Sequence, residues 1–185
     1  MFFYYSLYRK SDDVCTMSKE LSHKNVTSSE FRHIISHLGS GVSIITVSQD
    51  EQDYGITASA VCSVSLDPPM LLVCVNQNTG TQKALMQAKS FNVHILGKHQ
   101  ADLALQFSKA HTDKFHNLEY TYSELGNPLI PNVVAQIECQ LFKEISAGTH
   151  SIFVGEIRQA RVNDLEPLMY VKGQFGEFNS LNIRK

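Results

Sequence analysis

The chain has 185 residues, 43% of them hydrophobic and 18% charged, which suits one domain with a sizeable core and excludes a disordered or solvating chain. A formal charge of −2 from scattered basic and acidic residues gives neither the footprint of a nucleic-acid binder nor a basic membrane patch. The four cysteines (Cys15, Cys62, Cys74, Cys139) have no CxxC spacing, so no zinc site or redox dithiol is indicated, and three of them fall in strand-like segments as small buried hydrophobes.

Residues 1–26 are set apart as an N-terminal extension, expected to be poorly ordered. The start MFFYYSLYRKSDD is too short to span a bilayer, and residues 1–16 read as sequence upstream of a second start at Met17. The folded domain is expected over 27–180. Its first element is a helix over 27–38, where Thr27 and Glu30 have capping-box spacing and Phe31, Ile34, Ile35 and Leu38 form one apolar stripe. His33 and His37 are four apart but lack an HExxH pattern, so they read as surface residues and no metal site is assigned.

Strands follow. GVSIITVS (41–48) leads through a polar turn to GITASAVCSVSLDPP (55–69), and MLLVCVN (70–76) has the continuous apolar pattern of a strand buried on both faces. A short helix (79–88), a strand FNVHIL (91–96) and a second helix (99–108) precede a loop-like segment, 108–132. Two long strands, 133–147 and 150–162, turn at Gly148, and PLMYVKGQFGEF closes the domain. Six or seven strands joined mostly by turns, with helices inserted rather than alternating, favour a closed or nearly closed antiparallel barrel.

Familiar enzyme signatures are missing: no GxGxxG after a strand, no GxxxxGK[ST] loop, no GxSxG elbow, no paired carboxylates. Two neutral, hydroxyl-rich segments stand out instead. GITASAVCSVS is oddly small for a core strand, and NQNTGT (76–81) offers hydroxyls, a permissive glycine and free N–H groups at a helix start, the chemistry of a phosphate site. Turn chemistry beside an exposed strand face accounts for the same residues.

GITASAVCSVSLDPPMLLVCVN resembles the core motif of the short-chain flavin reductases, the flavin-binding split-barrel family, and most of all the reductase components of two-component aromatic hydroxylases such as 4-hydroxyphenylacetate 3-monooxygenase. FRHIISHLGSGVSIIT, FNVHIL, AGTHSIFVGEI and PLMYVKGQFG extend the likeness, in order, from Phe31 to Phe178. The resemblance implies a mainly β protein, a six-stranded antiparallel split barrel with a few peripheral helices. It further implies a cytoplasmic homodimer that binds FMN (or FAD) and oxidises NADH (or NADPH) for a separate oxygenase. Gly55, Ile56, Thr57, Ala58, Ser59 and Ala60 would border the flavin ring. Ser63 and Ser65, with Thr79 and Thr81, would hold the ribityl chain and phosphate, and Val64, Asn76 and Asn78 complete the cofactor-binding set. His150 would lie on the nicotinamide side, with Tyr170 and Phe175 as further candidates there. Thr149 stands where the family usually has Asp, and His94 where it has Asn.

Hydride transfer asks little acid–base work of a protein, so a site poor in ionisable residues fits it; positioning is the main task. A flavin-binding or flavin-sensing module without turnover, and a β-barrel carrier of another small molecule, are the competing readings. The flavin is expected to exchange, because residues 55–82 contain no Lys or Arg and Lys83 is the first cation after the phosphate loop.

Overall fold

The computed structural model describes residues 25–110 and 113–181. The expectation for the N-terminal extension lies outside the described residues as far as residue 24, as does Cys15. Helix α1 (Ser28–Ser36) opens with the capping box: the Glu30 amide donates to Thr27 Oγ1 at 3.2 Å, and the Thr27 amide donates to Glu30 Oε2 at 2.9 Å. Such a cap is worth about 1 kcal/mol. The apolar stripe is not buried as an amphipathic pattern predicts. Phe31, Ile34, Ile35 and Leu38 stay exposed, and no residue of α1 is buried.

β1 (Ser40–Gly41) and β2 (Ser43–Gln49) follow, and β2 turns into β3 (Gln52–Ala58) through Asp50 and Glu51, both with positive φ. That geometry makes a two-residue hairpin whose twist matches the strands, so β3 begins three residues before Gly55. The stretch read as one strand then breaks. β3 ends at Ala58, Ser59 and Ala60 form a corner, and β4 runs from Val61 to Leu66. β5 (Pro69–Asn76), α2 (Gly80–Gln87), β6 (Ser90–Ile95) and α3 (Ala101–Ser108) succeed it. A short hairpin, β7 (Thr121–Tyr122) and β8 (Pro128–Leu129), occupies the segment expected to be loop. The long strands β9 (Ala135–Ala147) and β10 (His150–Val162) precede β11 (Met169–Val171) and β12 (Gln174–Gly176).

The main sheet has seven strands rather than six, all antiparallel, in the order β3-β2-β6-β9-β10-β5-β4. The extra strand is the product of the Ser59–Ala60 break. β3 and β4 adjoin in sequence yet stand at opposite ends of the sheet, bridged by two residues. Two residues reach about 10 Å at most, so the sheet must curl until its edges meet. β1, β11 and β12 form a separate three-stranded sheet.

Two apolar clusters sit on the two faces of β2. Ile45 and Val47 join Val73, Val75, Leu85, Phe91 and Phe153 inside the curl, while Ile44 joins Leu96, Ala104, Phe107 and Ile130 under α3. The strand buried on both faces is therefore β2. β5 alternates instead, with Leu71, Val73 and Val75 buried and their neighbours half-buried, the pattern of an antiparallel strand with one core face. Nor is α2 peripheral: Thr81, Gln82, Ala84 and Leu85 are buried and plug one mouth of the curled sheet. Cys139 is buried as expected, but Cys62 is exposed, on the corner-side strand β4. Among the described residues no helix is long and apolar enough to cross a membrane.

Candidate functional site

The small residues of β3 have a packing reason that the sequence hid. A Cβ on Gly55 would lie 2.4 Å from Phe107 Cε1, so the ring of α3 fills the space a side chain would need. Two residues on, the Thr57 hydroxyl donates to the Ala104 carbonyl at 2.6 Å. Gly55 and Thr57 thus face α3, and Ile56 and Ala58, on the other face, pack against the inner cluster. The pattern changes at the corner. Ser59 and Ala60 are exposed, as are Cys62, Ser63 and Val64 on β4, with a bulge between Ser63 and Ser65 that turns Val64 outward.

Several predicted residues converge at one end of β5. The Cys74 amide donates to the Ala60 carbonyl at 3.0 Å, which seats the corner two residues from Asn76. His150 opens β10 directly opposite Asn76. Gly148, with φ +60°, makes the turn that delivers it. The Gln77 amide donates to the Thr149 carbonyl at 3.1 Å, and Gln77 Nε2 donates to the His150 carbonyl at 3.2 Å. Thr149, the departure from the family's Asp, shares a 2.9 Å hydrogen bond between its hydroxyl and His150 Nδ1. Ser59, Ala60, Asn76, Asn78 and His150 therefore lie around one rim.

The hydroxyls expected to face a phosphate are engaged within the fold. Thr79 caps α2, accepting from the Gln82 amide at 3.2 Å and donating to the Asn76 carbonyl at 2.8 Å. Thr81 is buried and donates to the Gly55 carbonyl at 2.9 Å. Ser63 and Ser65 are not brought to them. Ser65 pairs with Met70, at the far end of β5 from Asn76, a separation of roughly 20 Å at the strand rise of about 3.3 Å per residue. Tyr170 and Phe175 lie in the small sheet with ring centroids 5.4 Å apart, on the β1 side of the corner. His94 is structural: fully buried in β6, its Nδ1 lies 3.1 Å from the Ile44 carbonyl and its Nε2 meets no partner among the described residues. Burial lowers its pKa to about 4.

One residue was missed. Lys114, beyond α3, donates from Nζ to the Gly55 carbonyl at 2.8 Å, so Gly55 receives both Thr81 and a cation. Lys114 is half-buried, burial pushes its pKa below the ordinary lysine range, and it forms no salt bridge among the described residues. It lines an open cleft of about 730 Å³ between β3, the start of α2 and the segment after α3. The 59 residues separating Lys114 from Gly55 leave no local pattern to read.

The chain belongs to the flavin reductase like domain family, whose model matches residues 35–179. It is 40% identical over 149 residues, 80% of each chain, to the reductase component of the 4-nitrophenol 4-monooxygenase/4-nitrocatechol 2-monooxygenase of Rhodococcus opacus. It is 32% identical to the FMN reductase (NADH) SmoA of Agrobacterium fabrum, covering 82% of this chain and 87% of that one. Among solved structures it superposes with a TM-score of 0.78 on the NADH:FAD oxidoreductase SgcE6 of Streptomyces globisporus in complex with NAD and FAD fragments. That match is 30% identical and covers 82% of this chain and 92% of the other.

Proposed function

We infer that this protein is an NADH-dependent flavin reductase that supplies reduced flavin to a separate monooxygenase. The observation that carries the reading is the rim where Ser59 and Ala60 meet Asn76, Asn78 and His150 across paired backbone, within a chain of this family. The donor set fits a flavin. The exposed corner offers main-chain groups and small side chains against which a flat ring can lie, and Lys114 brings a cation to the adjoining cleft wall at Gly55. Bound there, the flavin supplies the hydride-accepting chemistry, which is the cofactor's own.

The chain's residues bind and orient. Gly55 through Ala60 form the wall and corner, and Asn76 and Asn78 present amide side chains at the end of β5. His150, held by Thr149, stands at the same rim on the side assigned to the nicotinamide. Ser63, Val64 and Ser65 belong to the exposed strand leaving the corner and contact the flavin's ribityl side in this reading. Tyr170 and Phe175 remain the outer aromatic candidates. Thr79 and Thr81 act by shaping the start of α2, their hydroxyl protons being engaged.

The protein works as a homodimer in the cytoplasm, on this reading. The bare stripe of Phe31, Ile34, Ile35 and Leu38 supports dimerisation, since a helix with no buried residue among the described residues has an apolar face for a second copy. The free thiols of Cys62, Cys74 and Cys139 suit a reducing compartment. The test is direct: purified protein with NADH and added FMN or FAD, followed by absorbance of the reduced nicotinamide. Turnover with repeated additions of flavin after extensive dialysis supports the reading. Absence of NADH oxidation with either flavin overturns it, and light scattering of the same sample tests the dimer.

A further inference from the structure

Gln77 stands between Asn76 and Asn78, yet its bonds go to the β9–β10 hairpin. Its amide donates to the Thr149 carbonyl at 3.1 Å, and its Nε2 donates to the Ser146 hydroxyl at 3.0 Å and to the His150 carbonyl at 3.2 Å. One half-buried residue thus grips the hairpin on both sides of Gly148. Further on, in α2, the buried Gln82 donates from Nε2 to the buried Ser151 hydroxyl at 3.2 Å. Two glutamines from one short segment therefore hold the end of the hairpin at Ser146, Thr149, His150 and Ser151.

The hairpin end needs such a grip. His150 forms the last pair of both its ladders, with Asn76 on β5 and with Ala147 on β9. Every residue from 145 to 150 is exposed, and strand ends with solvated bonds are where a sheet opens first. Thr149 bonds the His150 ring, but both belong to the same turn and move with it. Gln77 reaches the turn from a different element, and that element is anchored. The Asn78 amide donates to Asn76 Oδ1 at 2.9 Å, and Thr79 caps α2, whose Ala84 and Leu85 lie in the inner core.

We propose that Gln77 is a positioning residue for hydride transfer, which fixes His150 relative to the flavin side of the rim. The proposal rests on the reductase reading and deepens it: Gln77 acts through His150 rather than by touching a cofactor. The residue type follows from the partners. A carbonyl only accepts and a hydroxyl can accept, so one nitrogen with two N–H groups serves both. A glutamate of the same shape would set lone pairs against the His150 carbonyl, and a leucine would offer no donor. Hydride transfer is steep in geometry, with reacting atoms about 3–3.5 Å apart, so a small drift of His150 is read in the rate.

The experiment compares the wild-type protein with Gln77→Leu and Gln77→Glu, each alone and combined with His150→Ala. Both single variants should lower kcat/KM for NADH about fivefold, the rate equivalent of one neutral hydrogen bond, with flavin dissociation constants within about twofold of wild type. In the His150→Ala background the same substitutions should change kcat/KM less than about twofold, because the residue through which Gln77 acts is gone. A full loss in that background overturns the proposal. So does a wild-type rate in either single variant, or a loss of flavin affinity in step with activity, which marks a scaffold. Absence of NADH oxidation by the wild-type protein is a different result, which sinks the reductase reading. The clamp is then read without turnover, from the ring resonances of His150 in protein carrying isotope-labelled histidine. They should shift or broaden in both Gln77 variants while those of the buried His94 stay in place, and unchanged His150 resonances overturn the proposal.

Discussion

β3 and β4 carry the same kind of sequence, small and hydroxyl-rich, and use it for opposite ends. In β3 the smallness is filled by the protein itself: Phe107 occupies the space over Gly55, and the Ala104 carbonyl takes the Thr57 hydroxyl. From Ser59 into β4 the same residue types lie bare. A run of small residues therefore marks a close approach, and only the tertiary partner tells a packed helix from a ligand surface.

The largest effect expected from this contrast is on Gly55. Gly55→Ala forces a Cβ against a fully buried ring and should cost about 3 kcal/mol, the upper part of the range for overpacking, read as a fall in melting temperature. Phe107→Leu in the same chain should recover part of it. An alanine at 55 with wild-type stability would erase the distinction between the strands.

The layer behind β3 also holds a residue whose folding is linked to pH. His94 has its folded pKa lowered by burial to about 4 from 6.5, so the unfolded chain binds the proton more readily. Its contribution is complete above pH about 6.5 and is lost as pH falls toward 4; by pH 5 the loss is on the order of 2 kcal/mol. Denaturant titrations at pH 7 and 5 check it, and His94→Gln should flatten the slope between them whatever its effect on stability at pH 7. An unchanged slope would remove His94 as the cause.

At the open end, His150→Ala should lower kcat/KM for NADH about tenfold while leaving stability and flavin affinity near wild type. Equal loss of flavin binding would make His150 a rim scaffold instead. The smallest effects sharpen the comparison further. Thr57→Val should cost about 1 kcal/mol through the lost bond to Ala104, and Ser63→Ala less than about 0.5. Only the second should alter flavin affinity, by fluorescence titration, if β4 faces the ligand.

Much of this was legible from local patterns. The capping box at Thr27, the Thr79 helix start and the Gly148 turn that presents His150 all depend on neighbours within a few residues. What escaped depends on distant partners. Lys114 reaches Gly55 across the fold, the Ser59–Ala60 corner interrupts an unbroken strand-like pattern, and the apolar run of β5 covers only one core face. The α1 stripe misled for the converse reason: amphipathic spacing reports that a face wants cover, not that the same chain provides it.

The corner has a mechanical consequence. β3 and β4 close the sheet through two covalently linked residues and share no interstrand ladder. Along every other line of the sheet, widening by an ångström would break a row of backbone hydrogen bonds. Along this seam it needs only small rotations about the torsions of Ser59 and Ala60. The rim proposed for the flavin thus lies beside a seam closed by covalent linkage and the Cys74–Ala60 bond rather than by a ladder between β3 and β4.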